Sequence, residues 1–146
     1  MRMHSALILP ALLLASCQME DQGVEAEVPL AEIPSLHISG QAGYRERIAL
    51  LPGSMFEASL LDIARADAPS VPIAQVTRRL DGEQVPLPFD FEVKQHKLKT
   101  NLRYAVRATI KTPDGELAWT TDTVYLVDPT LESQDLGLLL LVRAKR

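Results

Sequence analysis

Short segments in which apolar and polar residues alternate run through the chain from about Ser35 onward. The clearest is Arg103 to Lys111, in which every second side chain is predicted to face inward. Alternation with period two is typical of a strand that has one face on a core. The predicted inward side chains are Tyr104, Val106, Ala108 and Ile110. Asp114-Gly115 then supplies a turn and Leu117 to Val127 returns, so these segments predict a hairpin.

Other segments have similar lengths, with turn residues between them. Tyr44 to Leu50 is one of them, and the Pro52-Gly53 pair after it predicts a turn. Pro86 and Pro88 restrict a later segment to a sheet edge or a bulged start. Apart from a helical turn near Gln95 to Leu98, no helix is predicted. About seven or eight short strands at regular spacing predict an all-β fold, an antiparallel immunoglobulin-like β-sandwich.

The residues that lead into the hairpin are typical of a tyrosine corner. Asn101 to Val106 places Tyr104 directly after a loop, at the start of a strand. In a tyrosine corner the phenol bonds to backbone a few residues upstream. We therefore expect the Tyr104 hydroxyl to hold this loop against the strand.

The last predicted strand, Leu136 to Val142, carries leucine on both faces. Residues 138–141 are four consecutive leucines, whereas a strand with one solvated face normally alternates. One interpretation is a strand that is covered on both sides. The other is that Leu139 and Leu141, or the leucines opposite them, line an exposed groove for a partner segment.

Charged residues suggest two further candidate contacts. Asp62, Arg65 and Asp67 form a cluster at a strand end, where a partner contact or ordinary turn chemistry would explain them. Turn chemistry is the simpler explanation, because aspartates commonly bond loop amides. A basic stripe on a strand face is also predicted, or simply a solvated face, from Arg103, Arg107, Lys111 and, if the register agrees, Arg143.

Residues 1–16 have the pattern of an export signal instead of a folded element. Arg2 precedes an apolar run from Ala6 to Leu14, and small residues follow it. Leu14 to Cys17 matches the bacterial lipobox, which implies cleavage before Cys17 and acylation of that cysteine with diacylglycerol and a further acyl chain. A free thiol, an intermolecular disulfide, a catalytic cysteine and a secretory signal cleaved nearby are the alternatives. Cys17 is the only cysteine, so its acylation leaves no free thiol.

Residues 17–34 are predicted to be the acylated N-terminus and a disordered tether. Five acidic residues and no basic residue occur after the cysteine, and prolines stand at its end. Like charges extend such a linker, and the alternative is an edge strand near Val24 to Val28. The predicted organisation is a signal peptide at 1–16, a linker at 17–34 and a β-domain at 35–146. By the usual lipoprotein sorting rule, Gln18 in place of aspartate implies transfer to the outer membrane, with the domain facing the periplasm.

Charge and motif content exclude several classes of function. The chain has 146 residues, enough for one domain, and its net charge of −4 argues against nucleic acid as a partner. His37 and His96 are isolated, so no metal site is predicted, and no nucleophile elbow, phosphate loop or dinucleotide motif occurs. We therefore predict no cofactor and no enzymatic activity.

Several segments in a fixed order resemble a family of envelope lipoproteins. They are YRERIALLPG at 44–53, LLDIARADAP at 60–69, VPLPF at 85–89, YAVRATI at 104–110 and TTDT at 120–123. The chain resembles the YbaY family, which is related to the YscW family of type III secretion lipoprotein chaperones, or pilotins. The resemblance implies a β-sandwich, outer-membrane attachment and, for the pilotins, a secretin partner.

The expected function is therefore protein contact at the membrane, without catalysis. The leading hypothesis is a lipoprotein anchored through Cys17 that assists a secretin or another envelope assembly. The alternative is a binding module for a small molecule or an envelope polysaccharide, which predicts a polar-lined pocket instead of an apolar strip.

Overall fold

The structure, a computed structural model, describes residues 33–64 and 69–145. These residues form eight strands and one short 3₁₀-helix. The strands are β1 (Ser35–Gly43), β2 (Met55–Asp62), β3 (Pro72–Arg79), β4 (Leu87–Lys94), β5 (Tyr104–Lys111), β6 (Leu117–Thr121), β7 (Tyr125–Val127) and β8 (Ser133–Arg143), and the 3₁₀-helix is Gln95–Lys97. The all-β prediction is confirmed. Within the described residues no helix has the length and apolarity to cross a membrane.

The strands follow one continuous path instead of forming two separate sheets. Their order is β3-β2-β5-β6-β8-β1-β4, and β7 pairs with β5 beside this path. The two end strands also approach each other, since Nη2 of Arg78 in β3 donates to the carbonyl of Pro88 in β4 at 3.4 Å. The sheet is therefore nearly closed, like a barrel, and an immunoglobulin-like arrangement is not evident in this strand order.

The long last strand β8 joins the two halves of the sheet. Its first part pairs with β1, from His37 opposite Ser133 to Gly43 opposite Leu140, and its end pairs with β6. The β1–β8 pair is parallel, so the prediction of a wholly antiparallel fold was wrong here. Direction was not predictable because alternation marks which face a residue occupies but not which way the neighbouring strand runs.

Close packing between β1, β4 and β8 requires a glycine in the middle of β1. A Cβ on Gly40 would lie 2.9 Å from Cζ of Phe89 and 3.0 Å from the carbonyl oxygen of Gly137. Gly137 itself has a φ of +64°, and the β1–β8 register shifts between Ser39 and Gln41. This irregularity changes the course of β8, and it lies directly before the run of leucines.

The core is formed by the inward side chains of the strands. The predicted inward residues of β5 are confirmed, because each is at most 2% exposed. The largest fully buried side chains elsewhere in the described residues are Leu36, Ile38, Phe56, Leu60, Leu87, Val93, Leu139 and Leu141 from strands and Leu80 from the loop after β3. Burying apolar area contributes about 25 cal/mol per Å² to folding, so this aliphatic core is the main source of stability.

One predicted strand is a loop. Tyr44 to Leu50 carries no strand structure, and three consecutive charged residues, 45–47, are exposed there. Tyr44 instead turns inward, and its hydroxyl donates to the carbonyl of Ile48 at 2.5 Å. That bond closes the loop on itself, where a strand would need its backbone groups for a neighbour.

The signal peptide, Cys17 and the linker up to residue 32 lie outside the described residues. The export signal, the lipid anchor and the tether therefore stay predictions. Arg65 and Asp67 also lie outside them, in the connection between β2 and β3.

The geometry expected for a tyrosine corner is present at the start of β5. The hydroxyl oxygen of Tyr104 accepts a hydrogen bond from the backbone amide of Lys99 at 2.7 Å. Tyr104 is 2% exposed, so this bond lies at the edge of the core. It ties the loop before β5 to the strand, as the sequence predicts.

Tyr104→Phe is expected to lower the free energy of unfolding by about 0.5–1.5 kcal/mol, because the Lys99 amide loses its acceptor while packing is kept. Urea denaturation followed by tryptophan fluorescence measures the change. Asn101→Ala, at an exposed position in the same loop, serves as the control and should leave the midpoint unchanged. An unchanged midpoint for Tyr104→Phe would show that the bond contributes nothing.

Candidate functional site

The leucine run of β8 divides cleanly between the core and the surface. Leu139 and Leu141 are 0% and 1% exposed, whereas Leu138 is 57% exposed and Leu140 is half-buried. Successive side chains of a strand point to opposite faces, so the two sets cannot share a surface.

The prediction that Leu139 and Leu141 line a partner surface was therefore wrong. Leu139 lies opposite Ala42 of β1 and Leu141 opposite Thr121 of β6, and both leucines point into the core. The leucines opposite them, Leu138 and Leu140, occupy the outer face. The alternative placement, which the sequence left open, is the one observed.

An apolar groove lies on this outer face, where β8, β1 and the start of β4 meet. It has a volume of about 380 Å³. Its apolar lining, which defines the groove below, comprises Gly43, Tyr44, Val85, Pro86, Leu138 and Leu140, and Gln41 and Arg45 complete its polar rim. This volume is within the range of ligand pockets, about 300–1,000 Å³.

Gly43 supplies the floor of the apolar groove. It lies opposite Leu140 in the parallel register, and a Cβ at this position would be 3.3 Å from Cδ1 of Leu138. Any larger side chain at residue 43 would therefore project into the space between Leu138 and Pro86, whose Cα lies 3.8 Å from that Cβ position. The groove exists because this strand position has no side chain.

One end of the apolar groove rests on a rigid aromatic stack. The ring of Tyr44 lies parallel to that of Trp119, with centroids 3.9 Å apart and an angle of 7° between the planes. The Arg143 guanidinium carbon lies 5.5 Å from the centroid of Trp119, within cation–π distance. Burial, and secondarily the negative charge of Glu46, raise the pKa of the Tyr44 phenol. The phenol is therefore neutral at physiological pH and keeps its bond to Ile48.

The side chains that line the apolar groove are those of a binding surface. Its lining has no histidine, cysteine or carboxylate, and no three such residues cluster as a metal site anywhere in the described residues. An apolar surface beside an arginine and a glutamine can hold an apolar segment of a partner and orient its polar groups.

Comparisons with known proteins identify the family of this chain. A family model described as type III secretion system lipoprotein chaperone (YscW) matches residues 33–138. The chain belongs to the YscW family. An uncharacterized lipoprotein of Escherichia coli (strain K12), YbaY, is 30% identical over 127 residues, or 80% of this chain. The match spans just under two thirds of that relative, 66%.

A solved structure extends the comparison to the fold. It is an alternative pilotin from the type II secretion system of Vibrio cholerae, which is 36% identical to this chain. The TM-score is 0.66, and the match covers 75% of this chain and 99% of that one. The YscW family is one of secretion chaperones, not a class of enzymes, and its lipoprotein relatives indicate an envelope location.

Of the other predicted contact residues of this YscW-family chain, Asp62 and Arg143 lie within the part that the structure describes. Asp62 ends β2, and its Oδ1 accepts a hydrogen bond from the Ala64 amide at 2.8 Å, as turn chemistry predicts. Arg65 and Asp67 lie outside the described residues, so a cluster with Asp62 stays a prediction.

Arg143 does not belong to the predicted basic stripe. It pairs with Trp119, which in turn pairs with the buried Ile110 of β5. Directly paired residues share a face of the sheet, so Arg143 has the core-facing orientation at the end of β8. Arg107 and Lys111 face outward, on the other side of the same sheet. As a partner contact Arg143 stays a prediction.

The main residues of the apolar groove that were not singled out from sequence are Gly43 and Pro86. Gly43 follows Gln41 and Ala42 with no pattern that marks it, and from the sequence Pro86 predicts only a restriction on its strand. They lie far apart in the chain, and only the pairing of β1 with both β4 and β8 brings them together.

Proposed function

We propose that this YscW-family chain is a non-enzymatic lipoprotein that assists the assembly of a secretin. It would be anchored to the outer membrane by acyl chains on Cys17, with the linker at 17–34 leading to a domain in the periplasm. The observation that carries the proposal is the apolar groove along β8, since membership of a chaperone family requires a surface that holds a client.

The proposed occupant is an apolar segment of a secretin subunit. Leu138, more than half exposed, and the half-buried Leu140 would pack against apolar side chains of that segment. Exposed apolar surface of this kind marks interaction sites, because leaving it in water costs free energy that a partner recovers. Gln41 and Arg45 at the rim would bind polar groups of the same segment and select its orientation.

Leu138→Asp is expected to reduce the amount of secretin that copurifies with the chain by about tenfold or more, because a carboxylate would be desolvated in the apolar groove without a partner. The full chain is solubilised from envelopes in mild detergent, and the secretin encoded in the same genome is quantified. Gly43→Leu should act similarly by filling the floor, and it adds no charge.

Leu126→Asp provides the matched control. Leu126 is 48% exposed, against 57% for Leu138, and lies on β7 outside the apolar groove. Equal loss of secretin for Leu126→Asp and Leu138→Asp would contradict a role for the groove. If wild-type chain recovers no secretin at all, the chaperone function itself is wrong, and the alternative of a small-molecule or polysaccharide module takes its place.

A further inference from the structure

A second concave surface lies on the outer faces of β2 and β5. Its volume is about 380 Å³, and its polar lining consists of Ser70, which precedes β3, and of five residues on β2 and β5: Glu57, Ser59, Arg107, Thr109 and Lys111. We refer to the five residues on β2 and β5 as the polar trough. None of them belongs to the apolar groove.

The register explains why these side chains share one surface. Glu57 lies opposite Thr109, and Ser59 lies opposite Arg107 in the antiparallel β2–β5 pair. Paired residues project to the same side, and their neighbours Ala58, Val106 and Ala108 fill the core on the other side. The polar trough is therefore a direct product of alternation in the two strands.

The shape of the polar trough follows the strand direction. Arg107, Thr109 and Lys111 are successive outward residues of β5, so the Cα atoms of Arg107 and Lys111 are about 13 Å apart at about 3.3 Å per residue. Pro72 lies opposite Leu61 near one end and Leu117 opposite Lys111 at the other. An extended chain of a partner fits an elongated depression with apolar ends better than a flat partner surface does.

The cations of the polar trough have no carboxylate partner among the described residues. Among all the described residues the single ion pair is Lys94 with Glu92, which lies on β4 and outside the polar trough. Nε and Nη2 of Arg107 both bond only to Oγ1 of Thr120, at 3.3 Å. Glu57 is within the same surface, but its Oε1 accepts the hydroxyl of Ser59 at 3.1 Å.

A third cation lies beside this row. Arg79 of β3 is opposite Met55, and Met55 is opposite Lys111, so the three residues cross the outer face in one line. Arg79, Arg107 and Lys111 are all exposed, and Glu57 is the single carboxylate of the trough lining. The local charge is therefore positive, although the whole chain is acidic.

We propose that the polar trough binds an extended acidic segment of a partner protein. Carboxylates four residues apart in that segment would lie beside Arg107 and Lys111, because both strands repeat at the same distance. Thr109 lies between the two charges on β5 and presents a hydroxyl for polar groups of the segment. This contact is independent of the apolar groove and would give the chain a second place to hold a client or a neighbour.

A labelled peptide tests the proposal. The probe is fluorescein-Thr-Glu-Thr-Ser-Thr-Glu-Thr, and the same peptide with glutamine in place of glutamate is the control. Each peptide is mixed with the full chain in neutral detergent, and fluorescence anisotropy reports binding. At low salt the acidic peptide is expected to bind and the glutamine control is not. Binding should weaken as salt rises, since the screening length falls to about 10 Å at 0.1 M.

Arg107→Gln combined with Lys111→Gln is expected to weaken binding about two- to thirtyfold, as loss of two exposed ion pairs implies. Lys97→Gln with Lys99→Gln removes the same charge from two exposed positions elsewhere, and should change affinity by less than about twofold. Glu57→Gln should tighten binding about two- to fivefold, because it removes a repelling charge and keeps an acceptor for Ser59.

Three results would overturn the proposal. Equal weakening by the two double variants would show that net charge alone attracts the peptide. Weaker binding by Glu57→Gln would place the peptide elsewhere. Absence of peptide binding, together with binding to phosphatidylglycerol vesicles that depends on Arg107 and Lys111, would assign the surface to a membrane instead.

Discussion

Leu139→Ala is expected to lower the free energy of unfolding by about 2–5 kcal/mol, which is a large part of the stability of a domain of this size. Leu139 is fully buried between β1 and β6, and removal of its side chain leaves a cavity that the strands cannot close. Leu138→Ala removes the same atoms from the residue directly before Leu139. Because Leu138 is exposed, its loss should cost less than about 0.5 kcal/mol.

Denaturation in urea, with the same slope for each variant, measures both changes. The pair is matched in residue type, strand and sequence position, so a difference between them reports only the face that each leucine occupies. Similar costs at the two positions would mean that β8 has another register. That result would also remove Leu138 from the apolar groove and with it the basis for the proposed contact with a secretin.

The leucine run of β8 does not indicate from its sequence which side chains face the core. In β5, basic and apolar residues alternate, and the predicted inward set was confirmed because charged side chains cannot be buried cheaply. In β8, leucine fills both faces, so no residue marks the solvent side. The register is decided by the neighbours of β8: Ala42 lies opposite Leu139 and Gly43 opposite Leu140.

The strand direction, and the residues that join Leu138 and Leu140 in the apolar groove, were not predictable for a related reason. The groove combines residues near positions 43, 86 and 138, which are separated by most of the domain. Alternation places each residue on a face of its own strand, but it contains no information about which strands are neighbours. The segment Tyr44 to Leu50 has the composition of a strand, but Tyr44 stacks on Trp119 and its hydroxyl bonds to the Ile48 carbonyl, so the segment closes as a loop instead of pairing.

The polar trough, in contrast, was partly accessible from sequence. Arg103, Arg107 and Lys111 were predicted on one outward face, and all three are exposed. What the structure adds is Glu57 and Ser59 beside them, through the pairing of β2 with β5. Arg143 was the exception, because its orientation depends on the pairing of β8 with Trp119 of β6.

Cys17→Ser is expected to abolish incorporation of labelled palmitate and to release the chain from the membrane fraction. Each buried CH₂ of an acyl chain contributes about 0.8 kcal/mol, and two or three chains hold a protein where one holds it only marginally. The measurements are metabolic labelling and flotation of envelopes. Persistence of the label in Cys17→Ser would contradict the anchor, as would its absence from the wild type.

Variants at the two residues next to Cys17 test acylation and membrane sorting separately. Ser16→Ala keeps a small residue before the cleavage site and should leave the labelling and membrane attachment intact. Gln18→Asp should also keep the label, but retain the chain in the inner membrane if the sorting rule applies. Release of Gln18→Asp into the soluble fraction would show that residue 18 affects processing instead of sorting.

The anchor and the groove make separable contributions to the proposed function, and Cys17→Ser distinguishes them. A chain without acyl groups keeps Leu138 and Gly43 in place, so it should still copurify with the secretin when the two are mixed in detergent. In cells, the secretin should then fail to reach the outer membrane, because its chaperone no longer travels there. Loss of binding in detergent as well would mean that the acyl chains are part of the contact, and that the apolar groove alone does not hold the client.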